Sequence, residues 1–303
     1  TDLSPRILAE EVFPTNLESS PRLVLAEVSA CVTRLLEQLG RPASHILGIG
    51  LCLPSRIDYR NARVFGPCVM YGWEDFDIRG WFAGHFPMPV FADNDVNLMA
   101  LAEYKHYWPD EEDFFFIKAG TGIGGGILLN GKVLMGAHAA AGEVSGLVSD
   151  ISKMADDDFK LTSVERYSEA PLWAGMASAS GLIFEYARQK HLPTGSPMPT
   201  GEEIFAAYNA GEPEAQKALK IFARRVAVGI LSLQHVLDVE KVAIGGGISA
   251  AEALLPAIQA ELDWLFERCT VMPTVKPELV RCRYGNDANL IGALKLFFEQ
   301  NPA

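Results

Sequence analysis

The chain has 303 residues, 49% of them hydrophobic and 21% charged, which suits a folded globular protein with core enough for two lobes and excludes a disordered chain. Its net charge of −12 argues against nucleic-acid binding by this chain alone, since contact with a phosphate backbone needs a basic face. No apolar stretch reaches membrane-spanning length and no charged-then-apolar leader is found; the scattered cysteines, with no Cys-x-x-Cys, read as reduced core thiols of a cytoplasmic protein.

Taken in order, the elements alternate between strand and helix and predict an α/β fold. Ile7 to Phe13 reads as a strand, and Pro21 to Leu39 as a helix stopped by Gly40. Ile46 to Leu53 is a buried strand. Pro89 to Ala92 is a short strand leading into Asp93-Asn94-Asp95, and Val96 to Tyr107 carries Leu98, Leu101, Ala102 and Tyr104 at helical spacing. Phe114 to Ala119 is a strand feeding a turn with glycine at 120, 122, 124, 125 and 126. A second apolar strand then reaches Asn130-Gly131, the preferred pair for a type I′ hairpin, before a third strand. Pro193 to Thr200 is the clearest surface loop. Ala215 to Leu237 is a long helix with apolar residues at 219, 222, 226, 230, 233 and 237, one core-facing stripe. Val242 to Ile244 is a strand, Gly245-Gly246-Gly247 a turn, and Ser249 the N-cap of a helix reaching about Cys269. A last helix spans roughly Leu290 to Glu299.

Three features carry chemistry. Glycines as dense as those from Gly120 to Gly126 free the backbone for positive φ and let its N–H groups approach a ligand, with the Thr121 hydroxyl among them. Convergent amides of this kind form an anion nest whose usual guest is phosphate; the plain alternative is a glycine-rich β-turn with no ligand. The Walker pattern is absent, because Gly126 is followed by Ile-Leu-Leu. Gly120-x-Gly122-x-x-Gly125 is followed by a strand, not by the helix of a dinucleotide fold. A strand–glycine–strand hairpin points instead to the actin-like, sugar-kinase type of ATPase fold. Gly245-Gly246-Gly247 is either a tight strand–helix turn or a place where a flat ligand lies against bare backbone. Asp95, at a strand end before a helix, is either an N-cap or a base that takes the proton from a substrate hydroxyl, with Asn94 donating to and accepting from neighbouring hydroxyls.

Residues Asp93 to Glu103, the Gly120–Gly126 hairpin, Gly131 to Ala137, Ala141-Gly142-Glu143, Val242 to Gly247 and Asn286 to Ala293, in that order, resemble the ROK family of repressors, open reading frames and sugar kinases. The resemblance implies two lobes of ribonuclease-H-like topology around a cleft that closes on a sugar and ATP. They are expected at 1–110, with a final helix 288–303 packing back on it, and at 111–287. It puts the catalytic aspartate at Asp95, a sugar-contacting asparagine at Asn94 and a sugar-contacting glutamate at Glu143. It assigns ATP to Gly120, Thr121, Gly122, Gly124, Gly245, Gly246 and Gly247, with Mg2+ bridging the transferred phosphates.

Two departures from the family pattern stand out. Where the family has a zinc-ligating histidine this chain has Gly146, and aligning the family's cysteine run on Glu165 puts Asp156, Asp158 and Ser163 at the cysteine positions. No soft donor remains, so no structural zinc and no metal ligand is expected, while Glu165 keeps the place of a second sugar contact. The family's opening strand, with its Asp-x-Gly-Gly-Thr turn, finds no counterpart, since Thr1 to Glu10 matches the hairpin just after it. That strand is expected upstream of Thr1. These features favour an ATP-dependent hexose kinase over a sugar-sensing transcriptional regulator whose DNA-binding domain lies upstream. The family also implies a homo-oligomer.

Overall fold

The computed structural model describes residues 2, 6–14, 19–65, 72–107, 113–154, 171–271 and 274–300. In chain order its elements are α1 (Pro21–Leu39), β1 (Ile49–Leu53), β2 (Ile57–Asp58), β3 (Arg63–Val64), α2 (Ile78–Ala83), β4 (Val90–Asn94), α3 (Asp95–Tyr107), β5 (Phe114–Ala119), β6 (Ile123–Leu129), β7 (Lys132–Val133), α4 (Trp173–Ala177), α5 (Ala179–Gln189), α6 (Gly201–Asn209), α7 (Pro213–Leu237), β8 (Lys241–Gly245), α8 (Leu254–Arg268), β9 (Glu278–Arg281) and α9 (Ala288–Gln300). They form two compact units. The first takes Thr1–Trp108, Met135–Ala141 and Asp287–Ala303; the second takes Pro109–Leu134 and Gly142–Asn286.

In the first unit α1 starts on Pro21, which needs no N–H there, and stops where Gly40 turns left-handed at φ 60°. Strands β1 and β4 pair in parallel, with Leu53 opposite Asn94. Strand β1 starts at Ile49, later than the apolar run from Ile46, whose N–H instead closes the Ala43–His45 3-10 turn on the Ala43 carbonyl. Strand β4 runs on to Asn94 and passes into α3 without a linker. Helix α3 is buried nearly all round, from Val96 to Tyr104. Helix α9 crosses it at backbone contact: a Cβ on Gly292 would lie 1.9 Å from the Leu98 carbonyl oxygen. Gly50 of β1 approaches α9 almost as closely, 2.9 Å from the Ala293 Cβ to its own missing Cβ. The strand expected at Ile7 to Phe13 is not formed: residues 7–13 join no ladder, and without a partner for its N–H and C=O groups an apolar run stays irregular.

The second unit is built on a sheet of order β7-β6-β5-β8-β9, with β5, β6 and β7 antiparallel and β5, β8 and β9 parallel. The turn from β6 to β7 has Asn130 at φ 52° and Gly131 at φ 70°, as the Asn-Gly pair predicts for type I′. Phe115, Ile117 and Ala119 face one way and join a core with Leu219, Phe222, Val226 and Ile230 of α7. Each such buried side chain other than alanine stabilises by roughly 1.5–3 kcal/mol. The Trp173 ring lies against Gly229, where a Cβ would sit 2.2 Å away, and its indole N–H donates to the Arg225 carbonyl at 2.9 Å. Glu185 of α5, buried, accepts from Arg188 at 2.5 Å, from Gln189 at 2.6 Å and from Arg225 of α7 at 2.9 Å. The expected Ser249 N-cap is not made. Gly247–Ala250 forms a 3-10 turn in which the Ser249 hydroxyl donates to the Gly246 carbonyl at 2.7 Å, a nearer partner than a helix that begins only at Leu254. Among the described residues no helix is long and apolar enough to cross a membrane.

Candidate active site

In the first unit β4 passes into α3 at a polar junction. Asn94 caps the helix: its Oδ1 accepts from the N–H of Val96 at 2.8 Å and of Asn97 at 3.2 Å. Its amide donates to the Ser55 carbonyl at 3.0 Å, tying the junction to the end of β1. Three of its four hydrogen-bonding positions are therefore taken within the fold, and the second amide hydrogen has no acceptor among the described residues. Asp95 is the first helical residue, half-buried, and its Oδ1 also accepts from the Val96 N–H, at 3.0 Å. Behind it Asp93 is buried, accepting from the Asn94 N–H at 2.7 Å and the Asn97 amide at 3.3 Å. The Asn97 amide also meets the Met135 sulfur at 3.5 Å. The signal for Asp93 and Asn97 was in the sequence, as polar residues inside a buried strand–helix run. Ser55 and Met135 come from distant segments and carry no local signal.

In the second unit two glycine turns lie at the same end of the neighbouring parallel strands β5 and β8. In the turn after β5, the Gly120 N–H donates to the Gly122 carbonyl at 2.9 Å. The Gly120 carbonyl accepts from the Ala179 N–H and the Thr121 carbonyl from the Ser180 hydroxyl, both at 2.8 Å. The start of α5 thus takes the turn's carbonyls. The N–H groups of Thr121 and Gly122 donate to no acceptor among the described residues. Gly246, at φ 89°, runs so close to β5 that a Cβ would lie 2.3 Å from the Ala119 carbonyl oxygen, which brings the second turn against the first.

The glycines then divide by cause. Gly125 admits the Phe115 ring, 2.7 Å from a would-be Cβ, and Gly245 the Phe116 ring, at 2.6 Å; Gly246 needs both its φ and its close approach. These three are explained by folding. Gly124 lies in the ladder opposite Lys118. Gly120, Gly122 and Gly247 have no positive φ. Among the described residues a Cβ on Gly122 or Gly247 would meet nothing within 4 Å, and one on Gly120 only the Gly122 oxygen at 4.0 Å. They leave an open cradle rimmed by unused N–H groups, a fit for phosphate oxygens.

Glu143 is exposed, at the head of a 3-10 turn spanning Val144–Gly146. Its position is set by the hairpin, because the Gly125 N–H donates to the Gly142 carbonyl at 2.9 Å and a Cβ on Gly142 would lie 2.1 Å from the Gly125 oxygen. Glu165, Asp156, Asp158 and Ser163 lie outside the described residues. Among the described residues no group of three or more His, Cys, Asp or Glu side chains could hold a metal ion.

The model of the ROK family matches residues 1–300. A glucokinase of Halalkalibacterium halodurans is 28% identical over 92% of this chain and 84% of its own. A beta-glucoside kinase of Klebsiella pneumoniae is 27% identical over 82% of this chain and 77% of its own. Among solved structures, a ROK hexokinase from Thermus thermophilus matches with a TM-score of 0.75 at 26% identity, covering 97% of this chain and 92% of that one. The two α/β units are those of the actin-like ATPase fold that the strand–glycine–strand hairpin predicts. On a match that runs from the first residue to the three-hundredth, the chain belongs to the ROK family.

Proposed function

We propose that this protein is a sugar kinase that transfers the γ-phosphoryl group of ATP to a hydroxyl of a hexose or related sugar, with Asp95 as the general base. The observation that carries the reading is the set of glycines with no folding cause. Glycine in place of alanine costs a chain about 0.5–1 kcal/mol of conformational entropy. At Gly120, Gly122 and Gly247 neither a positive φ nor a neighbouring atom requires it. What remains is a ligand that approaches bare backbone, and the nearby unused N–H groups suit an anion. The sugar kinases among the relatives support the same reading.

ATP supplies the phosphoryl group, and Mg2+, a hard cation that prefers oxygen ligands, neutralises charge on the transferred phosphates. The N–H groups of Thr121, Gly122 and Gly247 hold phosphate oxygens. Asp95 takes the proton of the attacking hydroxyl onto the carboxylate that accepts from the Val96 N–H. Asn94 donates its remaining amide hydrogen to the sugar. Glu143 and Glu165 accept from sugar hydroxyls.

The test is ADP release on a panel of free hexoses, N-acetylated hexosamines and glucosides, followed by Asp95→Asn with the best substrate. The variant should lose about 10²–10⁴-fold in kcat while sugar affinity is kept, because the amide cannot take the proton. Turnover within tenfold of wild type would remove Asp95 from the base role. Sugar binding with no nucleotide binding by the wild-type protein would make it a sensor and not a kinase.

A further inference from the structure

We infer that the first unit holds a subsite for the second ring of a glycoside, so that the hydroxyl presented to Asp95 belongs to a sugar already joined to another. The inference rests on the kinase reading above. Its basis is a cavity of about 300 Å³, at the lower end of the roughly 300–1,000 Å³ usual for ligand sites. The cavity lies between the turn joining β2 to β3 and the segment from Met135 to Ala139, both parts of the first unit. It adjoins the β4–α3 junction twice over. Met135 lines it, and the Met135 sulfur meets the Asn97 amide at 3.5 Å. Ile57 lines it too, two residues beyond Ser55, whose carbonyl holds the Asn94 amide at 3.0 Å. A substituent on a sugar held at Asn94 and Asp95 has this cavity as its neighbour.

The lining has two characters. Ile57, Phe65, Met135 and Ala139 offer carbon surface. The Phe65 ring, 37% exposed, is held in place: its N–H donates to the Arg56 carbonyl at 2.8 Å, and the His138 ring meets it edge-on, 6.3 Å between centroids. Tyr59, Arg60 and Asn61 supply the polar part. The Arg60 Nε donates to the Tyr59 hydroxyl at 3.3 Å, and the Asn61 amide donates to the Asp58 carboxylate at 2.7 Å. The terminal nitrogens of Arg60 and the side-chain oxygen of Asn61 make no hydrogen bond among the described residues. Donors and an acceptor are thus left over, and a sugar hydroxyl uses both. The turn is also fixed from outside. The Arg79 guanidinium donates to the Arg60 carbonyl at 2.8 Å, and the Gln300 amide to the Tyr59 carbonyl at 3.2 Å. A site ordered beforehand spares its ligand the cost of ordering it. Charge narrows the occupant: the Asp58 carboxylate accepts from the Arg60 N–H at 3.1 Å, so opposite charges offset each other within one turn. That lining suits a neutral polyol better than a phosphate. A pyranose ring matches both halves, with C–H bonds on the carbon surface and hydroxyls on the turn.

The test is ADP release and calorimetric titration on the full chain, with the best free hexose of the panel, its hexosyl disaccharides and its phenyl glycoside. Wild type should turn over at least one disaccharide with kcat/KM about tenfold above the free hexose. Phe65→Ala, and Ala137→Trp, which fills the cavity, should each lower that value about tenfold through KM and leave the free hexose within threefold. Both residues are exposed, so neither change threatens the fold. A free hexose preferred over every disaccharide, or equal losses on both, would overturn the subsite. A phenyl glycoside preferred over the disaccharides, with Arg60→Ala silent, would overturn the hydroxylated occupant. If wild type binds a disaccharide through Phe65 but phosphorylates nothing, the kinase reading falls and the subsite stands. If it phosphorylates the free hexose alone, the kinase stands and the subsite falls. A wild-type protein that binds no sugar would overturn both.

Discussion

Replacing Gly122 by alanine should damage nucleotide binding and spare the fold, whereas the same change at Gly125, three residues along one hairpin, should do the reverse of the second part. Among the described residues the added methyl at Gly122 meets nothing within 4 Å, and the backbone there has no positive φ, so stability should stay within about 0.5 kcal/mol of wild type. That methyl would stand among the N–H groups of Thr121 and Gly122, where phosphate oxygens need to come within hydrogen-bond distance. Losing one or two charge-assisted bonds of about 1.5–3 kcal/mol each predicts at least a tenfold drop in ATP affinity. At Gly125 the methyl would lie 2.7 Å from the Phe115 ring and 3.0 Å from the Gly142 carbonyl oxygen. Phe115 is fully buried and cannot swing away, so overpacking should cost about 1–3 kcal/mol. Urea unfolding of both variants, beside calorimetric titration with MgATP, reads the two effects separately. A Gly122→Ala protein that binds ATP as tightly as wild type would refute the ligand explanation of the unexplained glycines.

Gly292→Ala should destabilise the first unit by more than about 2 kcal/mol, because a methyl 1.9 Å from the Leu98 carbonyl oxygen strikes backbone that no rotamer change relieves. Since α3 begins at Asp95, any folded fraction should also lose turnover, which a combined melting and activity measurement checks. At Glu185, burial pushes the carboxyl's pKa up, but the hydrogen bonds from Arg188 and Gln189 and the charge of Arg225 together hold it below its ordinary value. A depressed carboxylate adds stability above its unfolded pKa and loses it as pH falls through the folded one. Unfolding followed from pH 7 down to about pH 3 should therefore show a loss that is shallower in Glu185→Gln; parallel curves would discount the clamp.

Much of this protein is decided by local sequence. The stripe at 219, 222, 226 and 230 specifies α7 because helical geometry stacks those positions on one side. Asn130-Gly131 specifies its turn because few other pairs tolerate two positive φ values in succession. The alternation of strands and helices, the two glycine turns and Asp95 at a strand–helix junction were equally legible, being properties of consecutive residues. Other features depend on what the chain brings together. Residues 7–13 look like a strand, but a strand exists only with a partner, and pairing is not local. Ser249 looks like an N-cap, yet its hydroxyl found the Gly246 carbonyl first. Asn94 reads as a polar residue at a strand end, and only the structure shows that three of its four hydrogen-bonding positions go to the helix and to Ser55, which lies 39 residues away in sequence. Above all, neighbouring glycines with the same letter proved to have different causes. Only the packed structure shows that Gly125, Gly245 and Gly246 make room for Phe115, Phe116 and Ala119, while Gly120, Gly122 and Gly247 face open space, because the cause of a glycine lies in the atoms that would touch its missing side chain.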